Sequence, residues 1–148
     1  TGAMTFESAA FLRRNGADSI RVRLLFQNDM DAYKAKATAV RDAELFRDHI
    51  AISVCPSDVE NSTLTAAQAA DDLMNVTGIQ ASFVCCKVED TVYISARSFG
   101  EINVQRIMEK LGGGGHLTVS GAQLQGCTVE EAKEKVRAAI EEYLEEEA

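Results

Sequence analysis

The tightest constraint in this chain is the run Gly112-Gly113-Gly114-Gly115 followed by His116. Glycine gives up more conformational freedom on folding than any other residue, so four in succession weaken any regular element. Such a run belongs where the backbone turns through positive φ or where something must come very close. Successive N–H groups in a turn of that kind form a concave nest for anions. A helix beginning at or just after His116 would add free N–H groups and the positive end of its dipole. On that reading the segment favours a phosphate, with His116 reaching the same oxygens. The alternative is a floppy loop between elements.

The chain has 148 residues, the length of one domain with a sizeable core. Hydrophobic residues make up 46% and charged ones 26%, the balance of a globular protein in water. No stretch approaches the roughly 18 apolar residues of a membrane span, so no membrane contact is expected of this domain. Thr1-Gly2-Ala3-Met4 reads as a cloning remnant ahead of a start methionine, which leaves residues 5–148 as the domain. A net charge of −8 argues against a general nucleic-acid binder, which needs a basic stripe to neutralise phosphates. The excess is uneven, because Glu141, Glu142, Glu145, Glu146 and Glu147 crowd the C-terminal end as a solvated helix end. A local basic pocket for a small anion is compatible with the rest. Cys55, Cys85, Cys86 and Cys127 form no CxxC pair, and no zinc spacing emerges with His49 and His116. They read as buried, reduced thiols of a cytoplasmic protein.

The hydrophobic pattern predicts an α/β fold: a mixed β-sheet of about five strands flanked by helices, in a single compact domain. Thr5 to Arg14 reads as a helix capped by Thr5 and stopped at Asn15-Gly16. Ile20, Val22, Leu24 and Phe26 alternate as a weak strand. Asp29 caps a helix to about Phe46, with Met30, Tyr33, Ala37 and Val40 on one face. His49 to Cys55 is a buried strand ended by Pro56, and Thr65 with Gln68 is a capping box for a helix to about Asn75. Gln80 to Val88 and Thr91 to Ser98 form a hairpin about Glu89-Asp90. Val104, Ile107, Met108 and Leu111 mark a helix stopped by Gly112. One helical turn and a short strand near Ala122 to Gln125 follow the glycines. Thr128 and Glu131 cap a last helix that buries Val129, Ala132, Val136, Ile140 and Tyr143.

In the second arm of the hairpin, Ile94 and Ala96 facing the core would put Ser95 and Arg97 together on the other face. Serines on either side of an arginine suit phosphate recognition, since the guanidinium fork binds two oxygens and a hydroxyl donates to a third. A surface arginine on an edge strand is the alternative. The helix from Asn103 to Leu111 would return the chain so that the glycine run lies beside Arg97.

The blocks Ser95-Ala96-Arg97-Ser98, Gly100-Glu101-Ile102-Asn103-Val104 and Ile107 through Gly112-Gly113-Gly114-Gly115-His116-Leu117-Thr118 closely resemble the C-terminal, DHH-associated domain of DHH-family phosphoesterases. Among these the chain is most similar to the membrane-anchored cyclic di-AMP phosphodiesterases of the GdpP type. Thr5-Phe6-Glu7, Phe11-Leu12-Arg13-Arg14, Gly16-Ala17-Asp18, Ala67 to Asp71 and Ala81 to Val84 extend the likeness over nearly the whole chain. The resemblance implies a substrate-binding domain that closes over a catalytic DHH domain of the same parent chain. It implies Arg97 as phosphate clamp with Ser98, a backbone nest at Gly113, Gly114 and Gly115, and a phosphate contact from His116. Ser95, Asn103 and Ser120 are additional candidates. Where the family often continues Asn-Ala-Ala after the histidine, this chain has Val119-Ser120-Gly121, which keeps small residues but not the Asn side chain.

The family's catalytic half holds two divalent metals, typically manganese, on Asp and His ligands that include an Asp-His-His triplet. Here Asp48-His49 is followed by Ile50, and Asp29-Met30-Asp31 stands where a helix cap is expected. No catalytic or metal-binding residue and no cofactor is therefore expected in this chain. The expected ligand is cyclic di-AMP or its linear product pApA, with the domain on the cytoplasmic side of an anchored parent. An oligoribonuclease or phosphoadenosine phosphatase role and a nucleic-acid-binding module are the alternatives.

Overall fold

The computed structural model describes residues 2–148. A six-stranded mixed sheet in the order β1-β2-β3-β4-β6-β5 forms its middle layer. β1 (Glu44–Phe46) is antiparallel to β2 (Ile50–Val54), which runs parallel to β3 (Ala81–Val88). β3 and β4 (Thr91–Ser98) are the expected hairpin, with Glu89 at φ 52° in the turn. β6 (Val119–Gln125) adds to β4, and the two-residue β5 (Gly114–Gly115) closes that edge.

The N-terminal segment departs from expectation. Ile20 to Phe26 is not a strand: α2 (Ser19–Leu24) is a helix, because the Asp18 carboxylate accepts from the Ile20 N–H at 2.8 Å and starts a helical turn. The alternating side chains find no strand to pair with and stay exposed. α1 (Ala3–Arg14) begins ahead of Thr5, after Gly2, and ends at Asn15-Gly16 as expected. Neither helix buries a residue.

α3 (Met30–Arg41) is capped by Asp29, whose carboxylate accepts from the Ala32 N–H at 2.8 Å. It stops short of Phe46, because residues 44–46 pair with β2 instead. Its buried face is Ala32, Ala35 and Ala39; Met30 and Tyr33 are exposed. α4 (Ser62–Leu73) starts earlier than the Thr65–Gln68 pattern suggested. Asn61 opens it in the left-handed region at φ 55°, and the Thr65 hydroxyl donates back to the Asn61 carbonyl at 3.4 Å. Alanines 66, 69 and 70 face the sheet, so both helices lie close on it. Buried serines tie them down: Ser53 Oγ donates to the Ala39 carbonyl at 2.5 Å, and Ser82 Oγ to the Ala70 carbonyl at 2.7 Å.

The other face carries α5 (Val104–Lys110) and α6 (Val129–Glu147) over Ile50, Ile52, Phe83, Val92 and Ile94. α6 opens on the expected capping box: Glu131 N–H donates to Thr128 Oγ1 at 3.1 Å, and Thr128 N–H to Glu131 Oε2 at 2.8 Å. All four cysteines are free and buried; Cys85 faces this layer and Cys86 the other. Burial pushes the Cys85 thiol up to about 12, which suits an inert core residue. The acidic end of α6 is not simply solvated. Glu142 and Glu146 meet Lys110 at 2.8 and 2.6 Å, Glu141 meets Arg47 at 2.6 Å, and Glu147 meets Arg106.

Lys133, nearly buried on α6, donates to Glu44 of β1 at 2.7 Å and ties that edge strand to the helix layer. The hydrogen bond from Lys133 holds the Glu44 carboxyl below its ordinary value of 4.5. A carboxyl that is more acidic when folded stabilises the fold above its ordinary value, and that gain is lost as pH falls through the folded value. Glu44→Gln should thus cost about 1 kcal/mol at neutral pH, the low end for a charged hydrogen bond because Glu44 is half exposed. Urea unfolding at pH 7 and pH 3 should show the difference from the parent shrinking in acid.

Candidate functional site

Residues alternate strictly along β4. Val92, Ile94, Ala96 and Ser98 are buried toward α5 and α6, while Tyr93, Ser95 and Arg97 share the opposite face. Pairing extends that face across the sheet in rows. Arg97 lies opposite Val119, Ser95 opposite Gly121 and then Gly114, and Tyr93 opposite Gln123. α3 and α4 cover β2, β3 and the near side of β4 and leave the β6–β5 edge of this face open. An open groove of about 520 Å³ runs over it, lined by Thr63 of α4 and by Tyr93, Ser95, Gly113, Gly121 and Gln123.

No helix begins at His116. Gly114 and Gly115 pair with Gly121 and Ser120 as a narrow hairpin, and β6 starts at Val119 rather than Ala122. The His116 N–H donates to the Val119 carbonyl at 2.8 Å, and Ser120 Oγ donates to the His116 carbonyl at 2.7 Å. The hairpin tip is also fastened to neighbouring elements. Ser98 N–H donates to the Thr118 carbonyl at 3.0 Å, while Ser98 Oγ and the Val104 N–H both donate to the Leu117 carbonyl at 3.3 and 3.1 Å. These bonds, which sequence spacing did not announce, bring the end of β4, the start of α5 and the glycine turn together. No helix N-terminus lies here, so attraction for an anion rests on Arg97.

The candidate residues fall into two groups. Ser98 and Ser120 are buried away from the open face, with hydroxyls committed to the hairpin tip. Asn103 caps α5 by accepting from the Arg106 N–H at 3.3 Å. Arg97, Ser95 and Gly114 lie on the open face, and His116 follows Val119 in the Arg97 row with its side chain exposed.

The four glycines are there for different reasons. Gly112, at φ +75°, ends α5 in a Schellman turn: its N–H bonds the Glu109 carbonyl at 3.0 Å, and the Gly113 N–H bonds the Met108 carbonyl at 2.9 Å. A Cβ on Gly113 would sit 2.7 Å from the Ala122 Cβ and against the Gly121 carbonyl. On Gly115, at φ +148°, it would fall 2.6 Å from the Val119 carbonyl oxygen. Only at Gly114 would a Cβ meet nothing within 4 Å, without a positive φ to require glycine. Register places that open side beside Gly121 and Ser95, on the Arg97 face. The N–H groups of Gly112, Gly113 and His116 are spent internally, and Gly114 and Gly115 pair with β6 as strand residues, so the run forms a sheet edge rather than a concave nest.

Arg97 is not a free surface arginine. Its Nε donates to Asp71 Oδ1 on α4 at 2.6 Å and its Nη1 to the Ala96 carbonyl at 3.0 Å, with 16% of the side chain exposed. Asp71 of α4 is the partner that sequence reasoning missed. It orients the guanidinium while Nη2 keeps its donors. Among the described residues no three His, Cys, Asp or Glu side chains converge as metal ligands. Asp29 is occupied as a helix cap, and Asp48 lies in the β1–β2 turn at φ 66°. Neither aspartate, as placed, is part of a metal-ligand cluster among the described residues.

Residues 48–146 match the family model of the DHHA1 domain. The chain is 45% identical over 148 residues to the cyclic-di-AMP phosphodiesterase GdpP of Bacillus subtilis, covering 98% of this chain and 22% of that protein. It is 39% identical over 83 residues to the bifunctional oligoribonuclease and PAP phosphatase NrnA of Thermus thermophilus, covering 53% of this chain and 26% of that protein. This chain thus spans about a quarter or less of the length of these relatives. An exopolyphosphatase-related protein from Bacteroides fragilis superposes with a TM-score of 0.81 at 18% identity, over 97% of this chain and 44% of its own, and so shares the fold.

The glycine geometry predicts a graded series. Gly113→Ala should lower stability by more than about 3 kcal/mol or prevent folding, since backbone must move. Gly114→Ala should change thermal stability by less than about 1 kcal/mol. Equal losses at both positions in a melting experiment would contradict the hairpin packing.

Proposed function

The chain belongs to the DHHA1 domain family, and from that membership we propose that it grips the substrate phosphate for a phosphodiesterase acting on cyclic di-AMP, yielding linear pApA. One observation carries this reading. Arg97 borders a row made of Ser95, Gly121 and Gly114, and Gly114 is the glycine of the run that folding does not require. A position kept bare on an open face beside an oriented guanidinium suits the close approach of a phosphate. Likeness to a cyclic-di-AMP phosphodiesterase over 98% of the chain supports the substrate class.

On this reading Arg97 Nη2 donates to a non-bridging phosphate oxygen, held in place through the Asp71 contact. The exposed His116 ring is the further donor. Cleaving the diester leaves one more negative charge on the phosphate, and a guanidinium fixed beforehand stabilises that charge as it develops. Metal-assisted hydrolysis, with manganese as the family resemblance implies, is proposed for a catalytic DHH domain outside this sequence. This chain then contributes binding and positioning, with no catalysis of its own.

A second reading, part of an oligoribonuclease and PAP phosphatase, is favoured by the likeness to the Thermus protein. It uses the same phosphate grip and differs in ligand. Competition between pApA and longer oligoribonucleotides separates the two.

An NMR titration of this chain with pApA should shift amides around Arg97 and Gly114 first. A charge-assisted hydrogen bond contributes about 1.5–3 kcal/mol net, so Arg97→Ala should weaken binding by about ten- to hundredfold. Arg97→Lys should recover part of that loss, because an ammonium keeps the charge without the planar fork. A folded Arg97→Ala variant binding pApA as tightly as the parent would refute the grip.

A further inference from the structure

We propose that Cys55 and Cys86 form a redox-active dithiol, which a hydroperoxide converts into a disulfide behind the wall of the groove. The inference stands apart from the phosphate grip and uses none of its residues.

The sheet places the two thiols side by side. Val54 of β2 is in register with Cys85 of the parallel β3, and the Cys55 N–H donates to the Cys85 carbonyl at 2.8 Å. One residue on, Cys55 and Cys86 are cross-strand neighbours, and both side chains belong to the core between the sheet and α3 and α4. Neighbouring strands lie about 4.8 Å apart, inside the ~4.4–6.8 Å Cα separation that a disulfide spans. Cys55 follows the end of β2 and precedes Pro56, so the chain beyond it is no longer held by the ladder.

The two sulfurs are not equivalent. Hydrogen bonding from Cys55 lowers the Cys86 thiol and outweighs its burial, with Ser62 adding to the effect, and the same contact raises Cys55. Ser62 is the first residue of α4, whose cap residue Asn61 makes no side-chain hydrogen bond, so the positive end of that helix lies beside the Cys86 sulfur. A thiolate is the nucleophile toward peroxide, which makes Cys86 the attacking sulfur and Cys55 the resolving one. Cys85 and Cys127 belong to the core on the other face of the sheet, where burial pushes the Cys85 thiol up to about 12.

An open depression of about 390 Å³ lies over this corner, lined by Ser57, Asn61, Ser62, Thr63, Val88 and Tyr93. Tyr93 pairs with Cys86 across β3 and β4, so neighbours of the sulfur form the wall that a small peroxide has to pass. Thr63 and Tyr93 also line the larger groove, which puts the thiol pair at its edge. In the reaction the Cys86 sulfur attacks a peroxide oxygen and the O–O bond breaks. The leaving oxygen takes the Cys86 proton and departs as water or an alcohol, and Cys86 becomes a sulfenic acid. The Cys55 sulfur then attacks the Cys86 sulfur. The S–S bond forms, the S–O bond breaks, and hydroxide leaves as water with the Cys55 proton. Two thiols are oxidised and one hydroperoxide is reduced.

The test treats the reduced, folded chain with hydrogen peroxide, unfolds it, alkylates the remaining thiols and reads the mass with and without dithiothreitol. The parent should lose two hydrogens and keep two alkylatable thiols, Cys85 and Cys127, and dithiothreitol should restore all four. Cys85→Ala and Cys127→Ala should still form the link. Cys55→Ser should stop at a sulfenic acid on Cys86 that dimedone traps, and Cys86→Ser should lose both link and adduct. Amide spectra of the oxidised parent should move at Ser62, Thr63 and Tyr93. A link that persists in Cys86→Ser, or that disappears in a folded Cys85→Ala or Cys127→Ala chain, overturns the pairing. So does a parent that keeps all four thiols alkylatable after peroxide or that yields a sulfinic acid instead of a disulfide, and these readouts depend on no variant. Oxidation that leaves Thr63 and Tyr93 unmoved overturns the placement of the link beside the groove.

Discussion

The close approach of the glycine hairpin to β6 governs the rest of the open face. Side chains at Gly113 and Gly115 would run into the backbone of β6, so only bare residues let β5 join the sheet there. That contact does more than add a strand. It seats the 116–118 turn where Leu117 and Thr118 accept from Ser98 and Val104, and so it sets where β4 ends and α5 begins. Arg97, one residue before Ser98, takes its place relative to Gly114 from the same network. Ser98 and Ser120 therefore serve the scaffold of the hairpin tip.

A second constraint decides which part of the sheet is free. α3 and α4 approach through alanines and are held by the Ser53 and Ser82 hydroxyls, and this draws them over β2 and β3. Small side chains permit the short helix–sheet distance, and a buried hydroxyl that donates to a helix carbonyl fixes the helix along it. Two helices seated there leave the strip beyond α4 open over β6, and that strip becomes the groove, with Thr63 of α4 at its wall.

Most of the fold is legible in sequence where a local rule suffices. The β3–β4 hairpin, the Asp29 cap, the α6 capping box and the alternation that separates Ser95 and Arg97 from Ile94 and Ala96 all follow from near neighbours. The misreadings occur where a distant partner decides. Residues 20–26 alternate like a strand, yet the Asp18 cap sets a helix and no strand is available to pair. Residues 44–46 join β2 instead of prolonging α3. The glycine run predicts close approach correctly, but its partner is β6 at Gly121 and Ala122, about eight residues on, and no local rule separates that from a helix start. Asp71 is equally opaque, because its pairing with Arg97 exists only once α4 lies along β4.

The net charge of −8 could be thought to repel a dinucleotide, and the fold answers that objection by where it places the charge. The glutamate-rich α6 lies on the α5 side of the sheet, and its end is engaged by Arg47, Arg106 and Lys110. Arg97 and the groove lie on the opposite face. A sheet and its packed side chains put roughly 10 Å between the two layers, comparable to the Debye length of about 8 Å at physiological salt. Repulsion from the far layer is therefore screened and partly neutralised, whereas a phosphate at Arg97 would be in direct contact with the guanidinium. The carboxylate that matters at short range is Asp71. Because it holds Nε and leaves Nη2, it trades some positive potential for a fixed orientation. That trade suits a site that must present one hydrogen-bonding edge to a phosphate more than it suits a long basic track for nucleic acid.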